Sequence, residues 1–525
     1  VHGLVRGARR APWKRRVVEP GRKPMSRLAV LAGAVALARR LRRELDGQPC
    51  LAVLLPPSLG AVLANLAGAL AGRTLVNLNY SIGEAAMASS LQQCGATKVV
   101  TARRFLDRCP VGLPADVTPI LLEDVLHGIG PGARAAALAL ALLAPVALLQ
   151  RACGAARASR PDDLATVLFS SGSTGEPKGV MLSHENLAAN IDSAIRALAL
   201  DRDHKILANL PFFHSFGTLI LWLGATGGVP LVLQANPLDA AEVGRLVAEH
   251  RLTVLVTTPT FLQLYVKRCT PAQLASLRLV VTGAEKLPPW LAERFEERFG
   301  KEILEGYGTT ECAPVVSVNL PGANRPGSVG RPIPDVRLRV VDPDDGRECA
   351  TGERGMVLVS GPNVMQGYLG RDDKTAEVLS GGWYRTGDLG FVDADGFLHI
   401  TDRESRFSKI GGEMVPHGVV EEAIHRALGA EDRVAAVTAV PDPRKGERLV
   451  VLHTFPEERV DDVFAALTTA GLPNLFLPRR DAFVRVDELP LLGSGKVDLR
   501  RVREIARSSV EDPMARGTTG RAGGC

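Results

Sequence analysis

The densest run of reactive side chains in the 525-residue chain is LFSSGSTGEPKGVMLSH, residues 168–184. Ser170, Ser171, Ser173 and Thr174 offer four hydroxyls, Gly172, Gly175 and Gly179 permit tight folding, and Lys178 adds a mobile positive charge. In such a loop successive backbone N–H groups converge on an anion, so the chemistry indicated is phosphate binding. It is not the GxxxxGK[ST] loop, because Gly179 follows Lys178. Further on, Tyr307-Gly308-Thr309-Thr310-Glu311 sets a ring, two hydroxyls and a carboxylate in consecutive positions. One carboxylate beside phosphate oxygens is enough to hold Mg²⁺. Asp388, in WYRTGD, can accept two hydrogen bonds at once, and Arg403 follows fifteen residues later. Two further residues carry little signal alone. Lys496 in PLLGSGK reads as a solvated loop tip, and His214 in PFFHSFG reads as a satisfied core histidine.

Elements must position these groups. Residues 164–169 form an apolar run with the bounds of a buried strand, and Leu187, Ile191, Ala194, Ile195 and Leu198 recur at helical spacing after Ser183, a natural N-cap. The expectation is strand, loop, helix, with the anion at the helix start. Residues 26–45 read as a helix, apolar first and then basic. Residues 50–55 read as a strand, followed by Pro56-Pro57 and a helix through Ala71. Buried strands are expected at 252–256 and 277–281, and Leu291, Phe295 and Phe299 share one helix face ended by Gly300. This βα alternation predicts doubly wound sheets, with ligands at the carboxyl ends of the strands. Two loops stand there: Thr282-Gly283-Ala284-Glu285-Lys286-Leu287 and Gly306–Glu311, written GYGTTE. From about Gly327 the alternation of Val336, Leu338 and Val340 with Arg337 and Arg339, and the turns Asp345-Gly346 and Asp395-Gly396, predict a small β subdomain. The last hundred-odd residues read as a small α/β unit. Val420, Ile424 and Leu428 form its helix face, and its strands fall at 434–440 and 449–454.

Together the motifs resemble the signatures of adenylate-forming enzymes, the superfamily of acyl-CoA synthetases, luciferases and peptide-synthetase adenylation domains, over about 51–503. TGAEKL, FSKIGGEMVPH and PLLGSGK narrow the resemblance to the acyl-acyl-carrier-protein synthetase branch, which many bacteria fuse to a lysophospholipid acyltransferase. The resemblance implies a large N-terminal α/β domain of two doubly wound sheets with a small β-barrel-like subdomain, then a small mobile α+β C-terminal lid domain. The boundaries expected are 1–25 as a basic disordered leader or linker, 26–403, 404–507, and a disordered tail at 508–525. It implies ATP and Mg²⁺ as cofactors. Lys496, Glu311, Lys178 and His214 become the catalytic group, with His214 bordering the acyl site. The nucleotide falls to Ser171, Gly172, Ser173, Thr174, Gly175, Lys178, Gly283, Ala284, Glu285, Tyr307, Gly308, Thr309, Thr310, Asp388 and Arg403, and the metal to Glu311. Lys409, Gly411 and Gly412 serve the pantetheine acceptor. The hinge falls near Ser405, where many relatives carry Asp or Lys. The implied reaction is activation of a fatty carboxylate as its acyl-adenylate, then transfer to the thiol of acyl carrier protein. Acyl-CoA synthetase is the alternative, and a non-catalytic adenylate or lipid binder is the alternative of another class.

The composition is that of a globular protein with ample core material: 46% hydrophobic and 23% charged. The eight cysteines form no CxxC pair and no signal peptide precedes them, so a reducing cytosol is expected, with neither disulfides nor a zinc cluster. Of the net charge of +6, much comes from residues 1–23, which hold eight Arg or Lys and one acid. Such a segment suits anionic membranes or acidic partners, or is a solvated leader; Val1 and Met25 both stand open as starts. Residues 47–72, 135–149 and 206–238 are apolar runs, but prolines and glycines break them up. Membrane-surface attachment at the inner face therefore fits better than spanning. No nucleic-acid partner is expected. A lysophospholipid acyltransferase needs His followed five positions later by Asp, and none of the ten histidines has it, so that activity requires a separate domain or partner.

Overall fold

The computed structural model describes residues 1–45, 47–109, 112–171, 177–410, 413–430, 432–442, 446–470, 472–491 and 497–511. Two large, mostly parallel sheets carry the N-terminal part. In the nine-stranded sheet, Leu304–Gly308, Leu279–Thr282, Val254–Thr257, Ile206–Ala208, Leu231–Leu233 and Arg15–Val18 run parallel in that spatial order. In the seven-stranded sheet the parallel order is Leu164–Ser171, Thr74–Asn77, Cys50–Val53, Lys98–Thr101 and Thr118–Leu121. Strands covered on both faces read as unbroken apolar runs. That is why residues 47–72 lack charge: Cys50–Val53 is buried throughout, and the helix Leu59–Leu70 beside it is buried from Ala61 onward. One continuous core joins both sheets, from Leu4 to Leu398. Among the described residues no helix is long and apolar enough to cross a membrane.

The small β subdomain is a five-stranded antiparallel sheet built on Arg337–Val341, Gly355–Ser360, Trp383–Val392, Leu379–Ser380 and Leu398–Arg403. The Asp395-Gly396 turn closes its longest hairpin, and Gly396 takes φ +82°, a conformation glycine adopts without strain. Residues from 407 onward form a second five-stranded sheet with the helices His417–Leu428, Val460–Thr469 and Leu499–Glu511. Its two cores contain no residue before Ile410, as befits a separate unit.

Three expectations are corrected. The first 25 residues are not a disordered leader. His2–Arg10 is a helix that buries Leu4, Val5 and Ala8, and Arg15–Val18 pairs in parallel with Leu231–Leu233. The apolar positions at i, i+1 and i+4 were there to read, but six arginines and two lysines obscured them. The phosphate-loop candidate does not run directly into a helix. Leu164–Ser171 and Pro177–Ser183 are antiparallel partners of a hairpin, with Val180 and Leu182 fully buried. The helix His184–Ala197 starts only after the second strand, and Ser183 and Asn186 cap it reciprocally in a capping box, an arrangement worth about 1 kcal/mol. Finally, the C-terminal helix continues through Ser508 to Glu511; residues 512–525 lie outside the described residues.

Candidate active site

A cavity of about 1200 Å³ opens at the carboxyl ends of the nine-stranded sheet. Its polar end is built on strand Leu304–Gly308 and the short 3-10 turn Thr310–Cys312 that follows. Backbone here is packed against backbone. A Cβ on Gly308 would lie 2.1 Å from the Pro314 carbonyl oxygen, and one on Gly283 would lie 2.9 Å from that of Gly306, so neither position accepts a side chain. Ala284 sits at φ +71°, in the left-handed region that non-glycine residues seldom occupy. The TGAEKL loop is pinned on both sides. Thr260 donates to Glu285 at 2.6 Å, and the Leu287 N–H donates to Glu305 at 3.0 Å.

Two clusters converge. In the first, Asp388 and Arg403 are cross-strand partners, and the Arg403 guanidinium donates to the buried Asp388 carboxylate at 2.7 Å. The Tyr307 phenol donates to the other carboxylate oxygen. Burial and the adjacent Asp388 charge push the Tyr307 phenol well up, so it stays a donor, while Asp388 holds Arg403 firmly protonated. In the second cluster Tyr368 stands between two predicted residues. Its hydroxyl donates to Glu311 at 2.9 Å, and Lys178 Nζ lies 5.3 Å from its ring centroid. Tyr368 reaches this place because Gly367–Tyr368 pairs with Pro177–Ser183 and the Met365 N–H donates to the Glu311 carbonyl.

The apolar arm of the cavity starts at His214, which precedes the helix Ser215–Trp222, and continues past Phe216, Leu219 and Leu223 toward Leu59 and Leu126. The His214 ring packs against Phe213, which meets Tyr80 edge-on. Thr309 and Thr310 follow Gly308, and Thr310 lines the cavity. Ser171 ends its strand, while Gly172, Ser173, Thr174 and Gly175 lie outside the described residues. Gly411, Gly412 and Lys496 also lie outside them; Lys409 is in strand Phe407–Ile410, and Leu491, five residues before Lys496, lines the cavity.

Residues that sequence reasoning missed sit around this frame. Tyr368 gave no local signal beyond its Gly-Tyr pair. Glu305 is buried, and burial lifts its carboxyl to about 7 despite the Leu287 N–H and the nearby Lys286 charge. At the junction of the two units, Asp402 accepts the Gly418 N–H at 3.0 Å, from the first turn of the helix His417–Leu428. Arg406 reaches Glu421 of the same helix at 2.5 Å. Lys286 and Lys267 pair with Glu422 and Asp432 across the domains, at 2.8 and 2.9 Å.

Comparison with known proteins agrees with this architecture. ATP-bound MatB from Rhodopseudomonas palustris superposes with a TM-score of 0.78 at 27% identity, covering 94% of this chain and 95% of that one. O-succinylbenzoate coenzyme A synthetase (MenE) from Bacillus subtilis, in complex with ATP and magnesium ion, shares the fold with a TM-score of 0.80 at 23% identity over 97% of this chain and 99% of its own. By sequence, the chain is 36% identical to a feruloyl-CoA synthase of an Amycolatopsis species over 350 residues, 65% of this chain and 70% of that one. It is 34% identical to a long-chain-fatty-acid–CoA ligase of Salmonella typhimurium over 361 residues, 67% of this chain and 63% of the ligase. The sequence profile of the AMP-binding enzyme family matches residues 4–369, a span that takes in both large sheets, both polar clusters except their last two members, and the cavity between them; the chain belongs to the AMP-binding enzyme family, within the adenylate-forming superfamily.

Proposed function

We propose that this protein activates a fatty acid with ATP and passes the acyl group to a phosphopantetheine thiol, with acyl carrier protein as acceptor. The observation that carries this reading is the continuity of one cavity of about 1200 Å³, polar at Tyr307 and Thr310 and apolar from Phe216 to Leu126. Small-ligand pockets span roughly 300–1,000 Å³, so this volume accommodates an acyl chain together with the reacting phosphate.

The first half-reaction joins two anions, and its barrier is largely electrostatic. The fatty carboxylate attacks the α-phosphorus, and pyrophosphate leaves. In this reading the Ser171–Gly175 loop and Lys178 hold the outer phosphates, with Gly283, Ala284, Glu285, Gly308 and Thr309 bordering the nucleotide. Thr310 donates to the α-phosphate and Lys496 neutralises charge between carboxylate and phosphorus. Asp388 accepts the ribose hydroxyls in place of the Tyr307 phenol, while Arg403 stays paired with it. The residues also fit Mg²⁺. A lone carboxylate held by Tyr368, as Glu311 is, suits an ion that takes most of its ligands from phosphate and water. When bound there, it supplies charge neutralisation. In the second half-reaction the thiol attacks the acyl carbon and AMP leaves. For that step the C-terminal unit swings to bring Lys409, Gly411 and Gly412 to the site.

Acyl-CoA synthesis is the second reading, supported by the similarity to the feruloyl-CoA synthase and the long-chain-fatty-acid–CoA ligases. Partners on the first reading are acyl carrier protein and a lysophospholipid acyltransferase in a separate domain or partner, at the inner face of the cell membrane. The test is thioester formation from one fatty acid with each acceptor across a salt series. The chain is basic and carrier proteins are acidic, so carrier-dependent turnover should fall steeply with salt. Faster turnover with CoA at every salt concentration would reject the carrier and leave the second reading. Absence of fatty-acid-dependent ATP–pyrophosphate exchange would reject both and leave a binder.

A further inference from the structure

Eight large hydrophobic side chains are exposed among the described residues: Trp13, Leu126, Leu138, Leu142, Leu143, Leu148, Leu238 and Leu491. The last two line the cavity already described. The other six fall in one region. Pro131–Leu143 and Val146–Cys153 are consecutive helices separated by Ala144 and Pro145, and of the thirteen residues in the first only Ala137 and Ala141 are buried. The rest of that helix is alanine, leucine, Pro131, Gly132 and Arg134, so its outward face is apolar where a soluble surface helix would be polar. The N-terminal helix is clasped to the same place. The Arg9 guanidinium donates to the carbonyls of Ala141 at 2.9 Å and Ala144 at 2.5 Å, and Trp13 follows four residues later, 79% exposed.

Charge identifies the occupant. Residues 1–18 and 125–161 contain no Asp or Glu. Arg6, Arg10, Lys14, Arg134 and Arg151 are exposed, and among the described residues none of them is ion-paired. Exposed leucines, a tryptophan and uncompensated basic residues on segments clasped side by side match the apolar-plus-cationic pattern of a surface lying in a membrane interface. Leu126 adds position. It is 39% exposed and also lines the cavity, so an opening of the cavity lies five residues before this face begins.

We propose that the Trp13 turn and the two helices Pro131–Leu143 and Val146–Cys153 dock on an anionic phospholipid bilayer, with the Leu126 opening facing it so that a fatty acid enters the cavity from the lipid. The delivery clause rests on the fatty-acid reading above; the docking does not. The test uses the full chain and vesicles of phosphatidylcholine with or without an equal part of phosphatidylglycerol, in sedimentation and tryptophan fluorescence, with no substrate present. Binding is expected to mixed vesicles and to weaken with salt. Tryptophan emission should shift to the blue on binding, and Trp13→Phe should remove most of the shift. The triple variant Leu142→Glu, Leu143→Glu, Leu148→Glu should bind roughly ten-fold or more weakly. Arg134→Glu with Arg151→Glu should lose the preference for anionic lipid. All five positions are exposed and outside the cavity, so thioester formation from detergent-dispersed fatty acid should be unchanged. Wild-type protein that ignores the mixed vesicles, or a triple variant that binds them equally, overturns the docking. So does a wild-type dimer that the triple variant converts to monomer without any vesicle binding, which would make this face an interface between two copies. Vesicle binding with no fatty-acid turnover supports the docking and overturns the fatty-acid reading alone.

Discussion

At the scale of the residue, the site is a set of charges whose partners set their states. Asp388, Tyr307 and Arg403 satisfy one another before any ligand arrives, which holds the buried carboxylate in one orientation. The lysines divide the labour of the proposed reaction. Lys496→Ala is expected to slow acyl-adenylate formation by ~10²–10³, while sparing thioester formation from supplied acyl-adenylate; Lys178→Ala should instead raise the KM for ATP. Single-turnover assays of each half-reaction check this, and equal damage to both by Lys496→Ala would reject its role. Two buried groups make stability depend on pH in opposite directions. Burial and the Arg406 charge depress His417 to about 3, with its Nε2 2.6 Å from the Ser408 hydroxyl. Below pH ~6.5 the unfolded chain therefore takes up a proton that the fold refuses, and stability falls by up to about 1.4 kcal/mol per pH unit down to about pH 3. Glu305, lifted to about 7, costs stability as pH rises from ~4.5 to about 7, because the unfolded chain ionises first. Their hydrophobic cores are separate. Calorimetry should show the C-terminal unit weakening in acid, and Glu305→Gln should flatten the loss in the N-terminal unit between those limits.

At the scale of the element, the recurring device is a loop held between two strands or between strand and helix. The hairpin Leu164–Ser171 to Pro177–Ser183 sets Ser170 opposite Lys178, so the lysine leaves a rigid strand rather than a loop. Leu398–Arg403 ends at the 3-10 turn Glu404–Arg406, and Asp402 and Arg406 tie that turn to the helix His417–Leu428. Ser405 is the middle residue of this turn. Ser405→Pro, which restricts φ and removes an N–H, is expected to slow one half-reaction several-fold more than the other. Unchanged rates and an unchanged melting temperature would move the pivot away from Ser405. The fold of these elements was largely legible. Ser183, Gly300 and Gly429 stand at the helix ends where the sequence puts them, because capping depends on neighbours only a few residues apart. The strand after the phosphate loop was not legible. Gly179 and Met181 alternate with Val180 and Leu182, but so short an apolar run fits a helix start as well as a strand.

At the scale of the whole molecule, two independently cored units meet at the Asp402 and Arg406 contacts of the junction and across two exposed ion pairs. Lys286–Glu422 and Lys267–Asp432 are both solvent-facing, and pairs of that kind contribute at most about 1 kcal/mol each. Two pairs of that size would not by themselves oppose the proposed swing of the C-terminal unit. Replacing Lys267 and Lys286 together by alanine is expected to shift the balance between the two half-reactions by no more than about five-fold per pair. Added salt should reproduce the shift in the wild-type protein. A double variant whose two half-reaction rates match the wild type would show that these contacts do not govern the arrangement.

The sequence by itself determined the family resemblance, the alternation of strands and helices, and the types of side chain gathered at the strand ends. Each of these is written within a few consecutive residues, where propensity, spacing and turn chemistry act. Tertiary structure alone decided which groups meet. Tyr307 and Asp388 are 81 residues apart and share a hydrogen bond. Tyr368 joins Lys178 to Glu311 through the register of an edge strand. The basic N-terminal segment became an ordered helix and a sheet strand because Leu4, Val5 and Ala8 had a core to enter and Leu231–Leu233 had a free edge to pair with. Sheet order and register fix such encounters, and both are set by burial summed over the whole chain rather than by any local stretch of it.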